Sequence, residues 1–250
     1  LCVSTQVGCG MACDFCLTGE MGLKRNLSIF EIIEQVSAVK RSLPEGEKIT
    51  NLVFMGMGEP LANTKNLYPA LNILLDPECY NFSRHHITVS TSGLANEIEK
   101  FGDETQVKLA ISLNATTDEV RDVIMPINKK YNLERLLDAC KKMKLPKRNS
   151  ITFEYVMLHG VNDSMEDAKR LVKILSNLKA KVNLLPFNEY EGSPYKRPSD
   201  EWVYKFQKYL LDRNYIAVVR RSRGRDILGA CGQLATNEKG LVGDAMKFAV

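Results

Sequence analysis

No run of apolar residues in this chain approaches the roughly 18 to 20 needed to span a bilayer, and nothing at its start resembles a cleavable leader. Those absences exclude a helical membrane protein and point to the cytoplasm. Charge of one sign is not in large excess either, since 34 Lys and Arg stand against 30 Asp and Glu for a net charge of +4. Histidine is scarce, with only His85, His86 and His159. There is no internal repeat, low-complexity tract or long linker, so 250 residues read as one domain of α/β-barrel size or two small ones. Cysteine is present in an odd number, seven, and three lie within eight residues. A reducing cytosol disfavours structural disulfides, which leaves metal binding or thiol chemistry.

Short apolar or β-branched runs alternate with segments of helical period. Strands are expected at 1–7, 49–55, 86–92, 107–113, 151–158, 181–187 and 215–221. Ser28 and Glu31 form a capping-box pair ahead of a stripe of Ile29, Ile32, Ile33, Val36 and Val39, and Thr116 and Glu119 repeat the pattern. Pro198 reads as a first-turn proline opening another helix, and 66–75, 133–143 and 165–178 carry the remaining helical stripes. The alternation predicts a parallel sheet covered by helices, better suited to a complete or partial barrel than to a flat doubly wound sheet. In either architecture the site lies at the carboxyl ends of the strands, near Gly56–Glu59, Ser90–Gly93, Ser112–Asn114, His159–Asp163 and Phe187–Tyr190.

The stretch "VGCGMACDFC" places Cys9, Cys13 and Cys16 at C-x-x-x-C-x-x-C. Three thiolates on one loop can hold three corners of an iron-sulfur cluster. Structural zinc and ferredoxin-like carriers use a fourth protein ligand, and the next cysteine is Cys79, so one iron would stay open for another molecule. A zinc or simple redox site remains an alternative on spacing alone.

After the second strand, "MGMGEP" sets glycines that would let backbone approach a ligand beside Glu59, a carboxylate able to accept from an ammonium group. Alone it would read as a tight turn. It is not a dinucleotide fingerprint, because the third glycine is absent. Ser90, Ser112 and Asn114 would likewise pass for strand-end or capping residues, were they not placed after successive strands. Cys79 and Cys140 read as small buried apolar residues. Cys231 differs: glycines flank it, and Arg220, Arg221, Arg223 and Arg225 precede it and would favour its thiolate. Cys2 is only seven positions before Cys9, so two thiols outside the cluster could meet at one site. The arginine run and the basic stretch at 141–148 are solvated faces or nucleic-acid contacts.

With aromatic Phe15 before the last cysteine, the loop resembles the signature of radical S-adenosylmethionine (SAM) enzymes. Taken with "GLKRNL", "MGMGEPLAN", "ITVSTSG", "MPINKKYNL", "EYVML", "GVND" and "ACGQL", nearly the whole chain resembles the RlmN family of dual-specificity RNA methyltransferases. That resemblance implies a partial (β/α)6-type TIM barrel and methylation of carbon 2 of an adenosine in 23S ribosomal RNA and in transfer RNA. It implies a 4Fe-4S cluster on Cys9, Cys13 and Cys16 and two SAM molecules per turnover. SAM contacts would come from Gly58, Glu59, Ser90, Ser112, Leu113, Asn114 and Asn188. Cys231 would carry the methyl group as S-methylcysteine, a radical made from the second SAM would take a hydrogen from it, and the carbon would add to the base. Cys2 would resolve the adduct through a transient disulfide with Cys231.

The resemblance further implies a monomer, no membrane, and an electron donor such as flavodoxin. Residues 1–250 would be the catalytic core, with the C-terminal segment carrying Cys231. The family's helical N-terminal accessory domain and its catalytic glutamate, ahead of Cys2, would fall outside this chain. The Cfr relatives, which act at carbon 8 of the same ribosomal adenosine, and a noncatalytic iron-sulfur or zinc RNA-binding module are the alternatives.

Overall fold

The computed structural model describes residues 1–145, 149–220 and 230–235. Arg221, Arg223 and Arg225 of the arginine run, and 146–148 of the second basic stretch, lie outside the described residues.

Six parallel strands form one sheet in chain order: β3 (Leu52–Phe54), β4 (Ile87–Thr91), β5 (Lys108–Ser112), β6 (Ile151–Met157), β7 (Ala180–Pro186) and β8 (Ile216–Val219). The chain's first residues extend it beyond β3, where Cys2 forms a parallel bridge with Val53 and Val3 N–H donates to Val53 O at 2.9 Å. A single expected strand over 1–7 is therefore two segments. Past Thr5 the chain leaves the sheet, and β1 (Gln6–Gly8) pairs antiparallel with β2 (Leu23–Asn26). The turn at Gly8 has φ of 73°, and an added Cβ there would collide with Gly22 O.

The helices are α1 (Leu17–Glu20), α2 (Ile29–Ser42), α3 (Thr64–Leu75), α4 (Ala95–Glu104), α5 (Asp118–Ile124), α6 (Leu133–Lys142), α7 (Met165–Leu175) and α8 (Asp200–Leu211). Ser28 and Glu31 make the expected capping box on α2. The expected Thr116 cap is displaced by one residue. Thr117 caps α5, while Thr116 Oγ1 donates to Asp167 Oδ1 at 2.6 Å and accepts from Arg170 Nε at 3.0 Å. A buried threonine tied to α7 is not free to cap α5. Ser199 likewise caps α8, with Pro198 just before it. Helix α4 is one that the sequence pattern does not announce. Its buried stripe is only Ala95, Ile98 and Phe101, it contains Gly102, and Leu94 at its N-cap has no side-chain bond to give.

Alternation along the strands divides the molecule. Leu52, Val89, Leu109, Ile111, Phe153, Tyr155, Val182 and Leu184 face the helices and are buried in one core. Residues of opposite parity, among them Ser90, Ser112, Glu154, Val156 and Leu185, face a cavity. Behind it Asn162 clamps two strand ends: its Oδ1 accepts from Leu158 N–H at 2.7 Å, and its Nδ2 donates to Asn114 O at 2.6 Å and Val156 O at 2.7 Å.

Asn162→Ala would strand three buried backbone groups. The expected loss is on the order of 3 kcal/mol, seen in calorimetry as a fall of about 6–12 °C in Tm. A shift below about 2 °C would show that the clamp contributes little.

Candidate active site

Cys9, Cys13 and Cys16 occupy the loop between β1 and α1 and line one cleft of about 1000 Å³. The loop is folded by its own backbone: Cys9 N–H donates to Gly22 O at 3.1 Å, Cys16 N–H to Cys13 O at 3.1 Å, and Ala12 takes a left-handed φ of 51°. Asp14 N–H donates to Ile124 O at 3.1 Å, which ties the loop to the end of α5.

Burial pushes the Cys9 thiol up to about 11, with the charges of Glu59 and Cys16 adding to it. The Cys13 thiol is raised further, first by burial and then by Cys16 and Cys9. Such mutually destabilised thiolates fit a positively charged iron centre, which would favour their ionised form. Among the described residues no three His, Cys, Asp or Glu side chains converge to hold one metal ion. A single zinc needs its sulfurs all about 2.3 Å from one point. A polynuclear cluster takes one thiolate per iron and fits three thiols spread over one wall.

Gly58, Glu59, Ser90, Ser112, Asn114 and Asn188 line the same cleft. Leu113 does not: its side chain is buried in the helix-facing core, as the parity of β5 requires. The glycines of "MGMGE" are also explained by the chain itself. A Cβ on Gly56 would sit 2.5 Å from Ser4 Oγ, and one on Gly58 would overlap Gln6. They make room for the N-terminal strand, and both also line the cleft.

Glu59 is buried, accepts from Ser92 N–H at 2.6 Å and Leu61 N–H at 3.0 Å, and is raised above the usual carboxylate range by burial. Asn188 Nδ2 donates to Cys231 O at 3.0 Å while its Oδ1, also buried, has no partner. Glu154 is a site residue that the sequence reading misses. It is 5% exposed, its Oε1 accepts from Asn183 Nδ2 at 2.9 Å, and its Oε2 makes no hydrogen bond. A signal for it exists, since a single carboxylate interrupts the apolar run "ITFEYVML". Two orphaned acceptors and a buried carboxylate fit a ligand rich in amine and hydroxyl donors, as SAM is.

Residues 230–235 are pinned across the mouth. Leu17 N–H donates to Gly232 O at 2.9 Å, Thr18 Oγ1 to Leu234 O at 2.5 Å, and Gln233 Nε2 to Glu189 O at 3.0 Å. Cys231 thereby lines the cleft that holds the cysteine loop. Its thiol is free, and so is that of Cys2, which Cys231 is near enough to influence. By area both residues are exposed, yet protein atoms crowd the sulfurs closely enough that desolvation is the largest influence on each. The Cys2 thiol is raised by burial and then by the Cys231 charge. Arg220 works to lower Cys231, but burial outweighs it and the thiol is raised. Arg220 thus favours the thiolate in the expected direction without outweighing burial. Cys140 is buried as expected, whereas Cys79 is exposed.

The architecture defines a class: a partly closed parallel barrel whose first strands lead into a three-cysteine loop is that of radical SAM enzymes, and residues 3–172 match the family described as the Radical SAM superfamily. The fold is shared with SAM-bound SuiB of Streptococcus suis, at a TM-score of 0.64 and 14% identity over 89% of this chain and 50% of that one. A radical SAM methyltransferase from Sphaerobacter thermophilus superposes at a TM-score of 0.88, 44% identical, covering 93% of this chain and 69% of that one. Dual-specificity RNA methyltransferase RlmN of Geotalea uraniireducens (strain Rf4) is 56% identical over 99% of this chain and 70% of its own length. RlmN of Geobacter sulfurreducens is 56% identical over 94% of this chain and 64% of its own. The chain belongs to the RlmN family and spans about two thirds of the length of these curated relatives.

Arg220→Met should slow alkylation of Cys231 by iodoacetamide several-fold near pH 8, because removing the cation raises the thiol further. Peptide mass spectrometry across a pH series reads this. An unchanged profile would remove Arg220 from the thiol's environment.

Proposed function

We propose that this chain is a radical SAM methyltransferase core acting on carbon 2 of an adenosine in 23S ribosomal RNA and transfer RNA. The observation that carries the reading is the meeting of Cys2 and Cys231 beside the cleft lined by Cys9, Cys13 and Cys16. Carbon 2 of adenine is electron-poor and does not attack a methyl sulfonium directly. A thiol that first takes the methyl group and then delivers its carbon by a radical route avoids that difficulty.

Cys9, Cys13 and Cys16 would hold a 4Fe-4S cluster, which when bound supplies the electron that opens SAM. Glu59, Gly58, Ser90, Ser112, Asn114 and Asn188 would orient SAM, with the carboxylate of Glu59 facing its ammonium group. Leu113 would contribute through its backbone only. Asn188 fixes the backbone at Cys231, so the methyl-carrying sulfur is held against the cleft rather than carried on a free tail. The Cys2 thiolate then attacks the Cys231 sulfur. A disulfide forms as the carbon–sulfur bond to the base breaks, and its electron pair stays on the carbon, which takes up a proton to become the methyl group of the freed RNA. The target base has to leave its stack to reach a cleft of this depth.

A cytoplasmic setting, a monomeric state and a flavodoxin-like electron donor complete the proposal. Among the described residues no helix is long and apolar enough to cross a membrane.

Cys2→Ala should accumulate RNA covalently attached to protein, and Cys231→Ala should abolish that adduct. Nucleoside mass spectrometry of the RNA product against authentic standards should show 2-methyladenosine. The carbon-8 isomer would transfer the chain to the Cfr chemistry. Zinc in place of iron, with no SAM cleavage under anaerobic reduction, would leave only a noncatalytic RNA-binding module.

A further inference from the structure

Arg121, on α5, is 0% exposed. Its guanidinium is held by neutral oxygens: Nε donates to Leu113 O at 2.9 Å, Nη2 to Ser92 O at 2.8 Å and Ser112 O at 3.1 Å, and Nη1 to Asn128 Oδ1 at 2.9 Å. Among the described residues it makes no direct ion pair. The nearest carboxylates stand one group away, where Asn128 Nδ2 donates to Asp118 Oδ1 at 2.9 Å and Asp122 Oδ1 at 2.7 Å. Gly93 makes the space, since a Cβ there would lie 3.2 Å from Nη2. Burial pushes the guanidinium down to about 10, which leaves it charged at neutral pH.

A buried cation without a carboxylate of its own is costly unless an anion elsewhere compensates it. The side chains of Ser92 and Ser112, whose carbonyls it grips, line the cysteine cleft. Its helix ends at Ile124, whose carbonyl holds the cysteine loop at Asp14, and Cys13 packs against the apolar cluster that includes Ile124 and Met125. Asp14, the residue after Cys13, is thus bonded to the last residue of the helix that carries Arg121.

We propose that Arg121 is a positioning residue that acts through its electric field, its charge behind the Cys13 wall raising the reduction potential of the cluster held by Cys9, Cys13 and Cys16. This rests on the reading of those cysteines as cluster ligands. Reduction adds an electron to an assembly already carrying three thiolates, and net charge is one of the determinants of cluster potential. A fixed cation in a water-poor wall favours the reduced state, and low-dielectric surroundings strengthen that effect. The three carbonyl bonds hold the charge at the carboxyl ends of β4 and β5, the end at which the cleft lies.

The test is a redox titration followed by electron paramagnetic resonance on the full chain, anaerobically reconstituted, with cluster content measured first. Arg121→Gln should lower the equilibrium constant for one-electron reduction roughly tenfold, a shift of about 59 mV. Arg121→Lys keeps the charge and should stay close to the parent. Asp122→Asn removes a partial neutraliser on a more exposed position and should move the potential the other way, by roughly twofold in the same constant. It keeps Arg121 in place if the glutamine variant does not fold. Opposite signs from these variants would not arise from loosened packing alone. Equal potentials in Arg121→Gln and Asp122→Asn clusters, or a fall in Arg121→Lys as large as in Arg121→Gln, would overturn the proposal. A parent chain that takes up no cluster would overturn the underlying reading, and this inference with it.

Discussion

A parallel sheet covered by helices on one face has a second face to account for, and the period-two alternation of its strands decides what goes there. In β4, β5, β6 and β7 one parity is given to the apolar core. The other carries Ser90, Ser112, Glu154 and Asn183, polar groups within a fold where unsatisfied polarity is expensive. Some are paired internally, as Glu154 is by Asn183. Others, Glu154 Oε2 and Asn188 Oδ1 among them, are left without a hydrogen-bond partner. The same alternation that makes the core tight leaves the opposite face in need of a ligand.

That face is closed by segments distant in sequence. The first residues add to the sheet beside β3 and bring Cys2 to its edge. Leu17 and Thr18, just after the cysteine loop, hold 230–235 through backbone carbonyls, and Asn188 holds it from β7's side. The thiol pair and the cysteine loop thus share scaffolding. Gly232, the residue after Cys231, is bonded directly to Leu17 at the end of the cysteine loop.

Much of this was legible in the sequence where chemistry imposes local spacing. Three cysteines on one loop, and carboxyl-end residues after successive strands, are short-range patterns, and six strands were readable because their core-facing residues had to be apolar. What escaped depends on tertiary context. Thr116 looks like a cap until Asp167 and Arg170 claim its hydroxyl. Arg121 in "DEVRDVI" reads as a surface arginine among acids, and only the fold buries it. The glycines of "MGMGE" invite a ligand-contact reading, whereas Ser4 and Gln6 are what require them. The nearness of Cys2 to Cys231, 229 positions apart, was suggested by the place of Cys2 beside the cysteine loop, whereas a role for each thiol came only from the family resemblance.

Burial also explains why the site's charges are arranged as they are. Every ionisable group lining the cleft with a resolved shift, Glu59, Glu154, Cys9, Cys13 and Cys231, is displaced toward its neutral form with desolvation as the largest cause, and so is Cys2 beside it. Left to itself such a cleft would favour neutral thiols and neutral acids, which bind neither iron nor a sulfonium zwitterion well. Two cations oppose that tendency from opposite ends, Arg121 behind Cys13 and Arg220 between Glu154 and Cys231. Arg121 is fixed by three carbonyls and an asparagine, so its charge is part of the scaffold. Arg220 stands 3.8 Å from Glu154 and is partly exposed, so a bound ligand's own charge can compete for it. The cysteine loop therefore sits in a field set by folding, whereas the field at Cys231 changes with what occupies the cleft.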